Sequence, residues 1–546
     1  MLATESESTP PTSPPASTAN AMLSAASCSW RWRSWEIWLI LMVFVFYAGD
    51  PAPAINEAHY LAKAKNFWQP QWCAGDLFVT SGKAHTTFYW VFGWLTNFFS
   101  LATTAWIGRL VGWSLLAVGL QRFSWSVVPV RYASLLAAFI WLAGIEHGNL
   151  AGEWVVGGIE AKVPAYGFVL LALERMVRGH WKIVWPLLGA ASAFHVLVGG
   201  WSVLCGGLVW LTAGKSRGSL VSQILPLAIG GGIALFGLLP AIWLTEGTSE
   251  ADAIAAARTY VYQRIPHHLL PADFAPSWYL RHGLLIAMTM IVFAIQKTDQ
   301  RIRAVGWFTV GAVLLAGIGL LLGLLPQSHP DLAAKWLRFY WFRLTDAAVP
   351  LALALATVRL LAVPSRWGRG LGWALAGLLG LIAVLLVARH SLQKAEAGLP
   401  ASCDLHSQGH FPDTSVAERQ AVCRAWIDAC DWIRDNTDPD AVFLTPRHQQ
   451  TFKWYANRAE VVNYKDVPQD VPNLKEWQSR FDRVFPPELG RIRITIQYSE
   501  LQKFRKQYGA DYMVVDRRIA PYSMPLQKVY PTALESNEYY AVYRLP

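Results

Sequence analysis

Charged residues are scarce in this chain: Asp, Glu, Lys and Arg make up 15% of its 546 residues, whereas 53% are hydrophobic. The first 390 residues or so are too apolar for a soluble domain. The six cysteines are scattered and show no CxxC or Cys/His spacing typical of a zinc site. No internal repeat and no nucleic-acid motif is present. We therefore do not interpret the net charge of +10 as nucleic-acid binding.

What the chain has instead is a series of apolar runs of about 15–24 residues, the length needed to cross a bilayer. Many of its 28 Trp residues lie near the ends of these runs, where amphipathic rings prefer the headgroup level. The pattern predicts a mainly α, polytopic bundle of transmembrane helices in the lipid bilayer. The runs lie near residues 36–49, 87–103, 104–120, 131–145, 163–178, 183–197, 199–213, 220–243, 280–296, 304–325, 344–362 and 371–388.

Basic residues concentrate in alternate loops, which the positive-inside rule places in the cytoplasm. The chain is thus predicted to be a multi-pass protein of the inner (cytoplasmic) membrane with an extracytoplasmic C-terminal domain. Twelve full crossings from a cytoplasmic N-terminus would leave the C-terminus inside. We therefore expect run 87–103 to be re-entrant or interfacial, so that about eleven crossings remain. The basic loop residues are Arg122, Arg131, Arg175, Arg178, Lys182, Lys215, Arg217, Lys297, Arg301, Arg303, Arg366 and Arg369.

Three regions follow from composition. Residues 1–29 are rich in Ser, Thr, Pro and Ala and are predicted to be disordered. Residues 30–395 form the transmembrane domain. In residues 396–546 short apolar strands alternate with helices, which predicts a small soluble α/β domain. Its expected elements are helix 416–435, strand 441–445, helix 447–456, strand 459–463, helices 473–484 and 498–508, and strands 511–515, 527–530 and 538–544.

The C-terminal domain carries two further features. In an oxidising compartment one disulfide, from Cys403 to Cys423 or Cys430, is expected. Loops after strands often bind ligands, so the polar segments 447–450 and 465–470 are candidates for covering an active-site mouth or binding a glycan. Plain packing is the alternative. The absence of a Gly-rich phosphate motif argues against nucleotide binding.

The first outer loop, residues 50–86, is the most informative segment. Residues 56–68 have the apolar pattern of an amphipathic helix lying on the membrane surface. Carboxylates just above a bilayer suit a general base, because a low dielectric raises their pKa towards neutrality. Lys83 and His85 suit charge-assisted hydrogen bonds to a phosphate. The alternative is an ordinary surface helix whose lysines snorkel.

This loop resembles the GT-C glycosyltransferases: an acidic position, a Tyr, a Gly-Asp and then a basic residue before an aromatic run directly follow the first span. The resemblance implies a sugar donor linked to a polyprenyl phosphate, a catalytic acid in this loop and a soluble C-terminal domain. Where the superfamily has an Asp-Glu pair, this chain has Asn56-Glu57. The implied base is therefore Glu57 or Asp50, and Lys83 takes the phosphate-binding basic position.

Three other outer segments carry candidate ligand-binding residues. Glu153 and Glu160, near Lys162, suit a divalent cation or sugar hydroxyls, although a Glu160–Lys162 pair in a turn explains them equally well. His195 is either a structural residue or part of a polar cavity wall. The other candidates are phosphate ligands, namely Arg264, His267 and His268 in loop 244–279, and Arg338 and Arg343 before run 344–362.

Each of these candidates has an alternative. Adjacent histidines do not share a helix face, so His267 and His268 do not predict a metal site; they also suit an interfacial aromatic belt. Arginines at an outer boundary run against the positive-inside trend, which favours a lipid-phosphate role for Arg338 and Arg343. The alternative for Arg343 is a helix pair with Asp346.

Three functions are compatible with these patterns. The first is an inverting transferase that moves a sugar from a polyprenyl-phosphate carrier to an extracytoplasmic acceptor, with or without a divalent cation. The second is a lipid or solute transporter, which should have ionisable residues deep in several spans. The third is a non-catalytic envelope scaffold. The transferase requires the first-loop acids and the basic residues to converge on one cavity. No pattern indicates an oligomeric state.

Overall fold

The computed structural model describes residues 33–296, 299–363, 365–403, 411, 413–486, 498–520, 524–532 and 536–546. The segment 1–29, predicted to be disordered, and the loop residue Lys297 lie outside the described residues.

The transmembrane bundle is confirmed. Among the described residues six helices are long and apolar enough to span a membrane, and five shorter helices coincide with five of the six remaining apolar runs. The spanning helices are Leu101–Val127, Val221–Trp243, Pro276–Ile295, Gln300–Leu322, Arg343–Ala362 and Arg369–Ala397. The shorter helices are residues 33–48, Ala133–Gly148, Lys162–Val177, Trp181–Phe194 and Val196–Thr212.

Run 87–103 does not form one crossing helix. It is divided into an α-helix, Thr86–Phe92, and a 3₁₀ helix, Gly93–Asn97. Ser100 then caps the next helix by accepting a hydrogen bond from the backbone N–H of Thr103. A capped helix start at this point breaks the run in two. The expected re-entrant or interfacial character agrees with this break.

The helix Arg343–Ala362 is the centre of the bundle, and most of its side chains are buried. Small residues allow its neighbours to approach closely: a Cβ on Gly144 would lie 2.7 Å from Pro350 Cβ. Close approach at small residues is how helices gain packing energy in a membrane. The buried axis of the bundle thus places the first residues of this helix at the centre of one end.

The C-terminal domain has a five-stranded mixed sheet of order β2-β1-β3-β5-β4. Strand β1 is parallel to β2 and β3, and β5 is antiparallel to β3 and β4. The predicted α/β domain is confirmed, although predicted helix 447–456 begins only at Phe452. The strands are β1 Val442–Leu444, β2 Ala459–Glu460, β3 Ala510–Asp516, β4 Lys528–Tyr530 and β5 Tyr540–Arg544, and the helices are Val416–Asn436, Phe452–Ala456, Val471–Val484 and Tyr498–Tyr508.

Apolar clusters cover both faces of this sheet. Cys403, Cys423 and Cys430 lie in one of them as buried free thiols. The predicted disulfide is therefore not formed in this structure, where the three cysteines act as small core residues.

The first outer loop lies between the bundle and the C-terminal domain. Its helix Glu57–Trp68 is confirmed, but it is not a membrane-surface helix, because Ala58, Leu61 and Ala62 are buried. Phe78 and Val79 of the following turn belong to the core of the C-terminal domain. Loop and domain therefore lie at the same end of the bundle, which we call the site end.

The predicted basic loops lie at the opposite end. Arg109 contacts the first loop, and Arg122 follows about 20 Å further along the same helix at 1.5 Å per residue. There Arg122, Arg175 and Arg178 surround the buried carboxylate of Glu174. The separation of the two ends agrees with the loop pattern in the sequence.

Candidate functional site

Glu57 forms a buried ion pair with Arg109 at the site end. The guanidinium donates to both carboxylate oxygens, with N···O distances of 2.6 Å each. The backbone N–H groups of Ala54 and Ile159 donate to the same carboxylate at 2.7 Å each. A carboxylate with four such donors and no exposure is a framework group, because its lone pairs are already used. It ties the first loop to a spanning helix and to loop 149–161.

Asp50 belongs to the same framework. Its Oδ1 lies 2.9 Å from Nζ of Lys394, near the end of the last spanning helix. Its backbone carbonyl accepts a hydrogen bond of 2.6 Å from Arg109. The two acids predicted as general bases thus both hold the first loop against the bundle.

Arg343 is the hub of a second group of charges. Its Nε lies 3.0 Å from Glu153 Oε2, and its NH1 donates to His195 Nε2 at 2.8 Å. The guanidinium also stacks on the ring of Tyr340, 4.1 Å from the ring centroid. Glu153, His195 and Arg343 belong to three separate segments of the sequence, and the structure brings them together.

Lys162 joins the two acids of the second acidic loop. Its Nζ lies 3.4 Å from Glu153 and 2.9 Å from Glu160, and it also covers the ring of Trp154 at 3.9 Å. The position between the acids, for which a divalent cation or sugar hydroxyls were one alternative, is thus filled by an ammonium group, and the other alternative, the Glu160–Lys162 pair, is present. Among the described residues no group of three or more His, Cys, Asp or Glu side chains is arranged to hold a metal ion.

The first loop supplies the facing side of this group. Asn56 donates a hydrogen bond of 2.8 Å to Glu160. The hydroxyl of Tyr60 lies 3.3 Å from His85 Nε2, and the rings of His85 and His195 are 5.3 Å apart. We call the eight residues of these contacts the site cluster: Asn56, Tyr60, His85, Glu153, Glu160, Lys162, His195 and Arg343.

His85 is in the cluster but carries no charge at neutral pH. Burial, together with the charges of His59 and Arg343, lowers the pKa of His85 to about 3. A neutral imidazole binds through hydrogen bonds alone. His85 therefore does not supply the charge expected of a phosphate ligand at this position, and the neighbouring permanent charge is that of Arg343.

Asp346 holds the second acidic loop in place. Its carboxylate accepts hydrogen bonds from the backbone N–H groups of Leu150, Ala151 and Glu153, at 2.7, 2.9 and 3.3 Å. The alternative expected for Arg343, a helix pair with Asp346, is wrong, because each residue has other partners. No local sequence pattern indicates this role, since the bonds connect residues almost 200 positions apart.

Arg264 and Lys465 extend the cluster towards the C-terminal domain. Arg264 donates to the backbone carbonyl of Lys465 at 3.3 Å and stacks on Tyr464 at 4.2 Å. Burial and the charge of Arg264 lower the pKa of Lys465 to about 8, and the charges of Glu160 and Lys162 also act on it. Lys465 thus interacts electrostatically with two residues of the site cluster, and Arg264 is bonded to the backbone of Lys465.

Four residues that were predicted to bind phosphate lie at the margin of the site cluster or outside it. Lys83 donates to carbonyls of its own loop, at 2.9 Å to Val79. His268 lies 2.5 Å from the carbonyl of Ala151, and burial lowers its pKa to about 3. His267 is exposed and Arg338 half-buried. None of these four side chains forms a hydrogen bond or ion pair with the eight cluster residues in the described chain.

A separate buried network fastens the C-terminal domain to the first loop. Lys453 Nζ lies 3.1 Å from Asp76, 2.6 Å from Glu460 and 2.6 Å from Asp466. His59 donates to Asp466 at 2.9 Å. Burial raises the pKa of Glu460, which reduces the repulsion among three carboxylates around one ammonium. Asp76, the acid of the first-loop Gly-Asp, is thus part of the interface between the first loop and the C-terminal domain.

A family model described as a domain of unknown function, DUF6798, matches residues 424–484. No curated protein matches the chain by sequence.

The chain is similar to three solved structures. ArnT from Cupriavidus metallidurans in the apo state shares 15% identity, with 97% of this chain and 99% of that chain covered and a TM-score of 0.40. The Archaeoglobus fulgidus oligosaccharyltransferase in complex with Zn and sulfate shares 12%, with 92% and 72% covered and a TM-score of 0.39. AglB from Archaeoglobus fulgidus, with an inhibitory peptide and a dolichol-phosphate, shares 12%, with 90% and 70% covered and a TM-score of 0.38.

ArnT and AglB are GT-C glycosyltransferases, the superfamily that the first outer loop resembles. At TM-scores of about 0.4 this likeness assigns no residue and no reaction to the present chain.

Proposed function

We propose that this chain is an integral membrane glycosyltransferase that moves a sugar from a polyprenyl-phosphate carrier to an acceptor hydroxyl. The observation that carries the proposal is the charge of the junction at the site end. Four cations, Lys162, Arg264, Arg343 and Lys465, meet three carboxylates, Glu153, Glu160 and Asp466, and Asp466 is itself paired with Lys453 and His59. A partly buried excess of positive charge is compensated well by a phosphate that arrives with its substrate.

The reaction is a single displacement with inversion at the anomeric carbon. The acceptor oxygen forms a bond to this carbon while the bond to the carrier phosphate breaks, and the phosphate leaves with the electron pair. Glu160 takes the acceptor proton, and Arg343 and Arg264 stabilise the charge on the leaving phosphate. The predicted convergence of the first-loop acids and the basic residues on one cavity is not found: Glu57 and Asp50 are paired with Arg109 and Lys394, and Lys83 and Arg338 lie apart from the site cluster. In this proposal Glu57 and Asp50 therefore keep the first loop in place, and Glu160 replaces them as the base.

The proposal places the site end outside the cytoplasm of a bacterial inner membrane. The basic loops of the opposite end support this orientation through the positive-inside rule. Cysteine labelling with a membrane-impermeant maleimide tests it, with two exposed positions: Gln502→Cys in the C-terminal domain should react from outside, and Arg301→Cys at the opposite end should not. Reaction from the opposite sides would reverse the orientation.

The transfer reaction is tested with radiolabelled sugar on a polyprenyl-phosphate carrier in membranes that contain the protein. Glu160→Gln and Arg343→Gln should each lower kcat/KM by about 100- to 1000-fold, the effect of losing a general base or a charge stabiliser. Lys503→Gln, an exposed substitution in the helix Tyr498–Tyr508 of the C-terminal domain, is the matched control.

Two outcomes count against the proposal. Wild-type membranes that transfer no labelled sugar from any carrier would contradict transferase activity. Uptake of labelled carrier or solute into vesicles, abolished by Arg343→Gln, would instead favour the transporter.

A further inference from the structure

One short segment of the C-terminal domain reaches the site end of the bundle. We call residues 463–470 the bridging segment. The side-chain oxygen of Asn463 accepts hydrogen bonds from the backbone N–H groups of Lys465 and Asp466, at 2.8 Å each. This Asx-type turn determines the direction of the chain at Lys465. The bridging segment lies within the matched DUF6798 region.

The bridging segment is fastened at two positions that follow Lys465. Asp466 binds His59 of the first loop and Lys453 of its own domain. Asp470 accepts a hydrogen bond of 2.7 Å from the backbone N–H of Gly82. With these attachments Lys465 is presented to the site by a rigid turn.

The ammonium of Lys465 has no fixed partner. It donates no hydrogen bond and forms no ion pair among the described residues, although the charges of two cations, Arg264 and Lys162, and of two carboxylates, Glu160 and Asp466, act on it. The backbone around it is fully used, because its carbonyl accepts from Arg264. A cation held near other cations is costly unless an anion joins it.

We propose that Lys465 binds the phosphate of the lipid-linked donor and that the C-terminal domain thereby completes the membrane-embedded site, with Asp466 as the positioning residue. The identity of the donor rests on the proposed function. The recognition of a phosphate at this place rests on the attachments of the bridging segment and on the unpaired ammonium of Lys465, not on the transfer reaction, so the two can fail separately.

The test measures binding of farnesyl phosphate, a short polyprenyl monophosphate, and of farnesol, its neutral counterpart. The full chain is placed in phosphatidylcholine nanodiscs and studied by titration calorimetry at pH 7. Lys465→Gln should lower the affinity for farnesyl phosphate by about 10- to 100-fold, because a charge-assisted hydrogen bond is lost. Lys465→Arg should stay within about threefold of wild type, since it keeps the charge.

Lys503→Gln serves as the matched control, because its exposed ammonium pairs only with Glu500. It should bind like wild type, and farnesol should bind all four proteins equally. If Lys465→Gln binds farnesyl phosphate as wild type does, Lys465 is not a phosphate ligand. If farnesol weakens by the same factor, the substitution has damaged the fold of the site, and the inference is likewise wrong.

Asp466→Asn tests the positioning role, and His59→Gln does so if the first variant does not fold. Each variant should weaken the binding of farnesyl phosphate but not that of farnesol. In a double variant, Lys465→Gln should add little to this loss of affinity. Additive losses would show that Asp466 acts independently of Lys465. A wild-type protein that transfers no sugar, yet binds farnesyl phosphate through Lys465, would contradict the proposed function and leave this inference standing.

Discussion

Two groups of buried charges lie at the site end, the Glu57–Arg109 pair and the site cluster. They differ in how many of their charged groups have a partner of opposite charge. The Glu57–Arg109 pair is fully satisfied, with every carboxylate lone pair used and no exposure. The site cluster, with Arg264 and Lys465 beside it, has more cations than carboxylates. The comparison teaches that burial of an acid in a promising motif does not identify a catalytic group, because pairing decides whether it is available to a substrate.

The strongest way to break this comparison is to remove one half of the satisfied pair. Arg109→Ala leaves the Glu57 carboxylate buried without its partner, and this should cost about 3–5 kcal/mol of stability. Thermal unfolding of the purified protein and its yield in membranes measure the loss. A double variant, Arg109→Met with Glu57→Met, should recover part of it, because an apolar pair often replaces a buried ion pair at little cost. A single variant as stable as wild type would show that the pair is not a framework.

A second substitution sharpens the comparison from the side of the site cluster. Asp346→Asn removes one of the carboxylate oxygens that hold loop 149–153, so the loop should shift without unfolding the bundle. Small misplacements of catalytic groups are expensive, so kcat for sugar transfer should fall by about 10- to 100-fold. Farnesyl phosphate affinity should remain within a few-fold of wild type. Equal losses of kcat and affinity would assign Asp346 a general structural role instead.

The smallest expected effect is a pH dependence. Lys465 has a pKa of about 8, so its ammonium is charged at pH 7 and mostly neutral at pH 9. Arg264, Glu160, Asp466 and Lys162 act on it electrostatically. Affinity for farnesyl phosphate should therefore fall as the pH rises from 7 to 9, by about tenfold at most. Lys465→Arg should remove this dependence, because Arg does not titrate in the range. An unchanged profile in that variant would assign the titration to another group.

Much of the fold could be predicted from hydrophobic pattern. The apolar runs, the break within 87–103 and nearly every element of the C-terminal domain correspond to helices and strands in the structure. Such elements depend on local periodicity and length, which the chain displays directly. The first-loop helix was also predicted, but its environment was not, because an amphipathic pattern does not distinguish lipid headgroups from a docked domain.

The site could be predicted only in part. Glu153, Glu160, His195, Arg264 and Arg343 were candidates for their residue type and position, and they do converge. Lys83 and Arg338 had the same merits and lie apart from the cluster. Nothing local separates the two sets, because their difference arises from how loops that are distant in sequence fold over one another.

The order of residues alone determined that this chain enters a membrane many times, that its basic loops share one end, and that a small α/β domain follows. These properties depend on runs of side chains and on neighbours within a few positions. Only the tertiary structure decided that Glu57 and Asp50 are paired with Arg109 and Lys394. It also decided that cations outnumber carboxylates where Arg264 and Lys465 lie beside the site cluster. Pairing requires contact between groups up to several hundred positions apart, and contact at that separation is a property of packing.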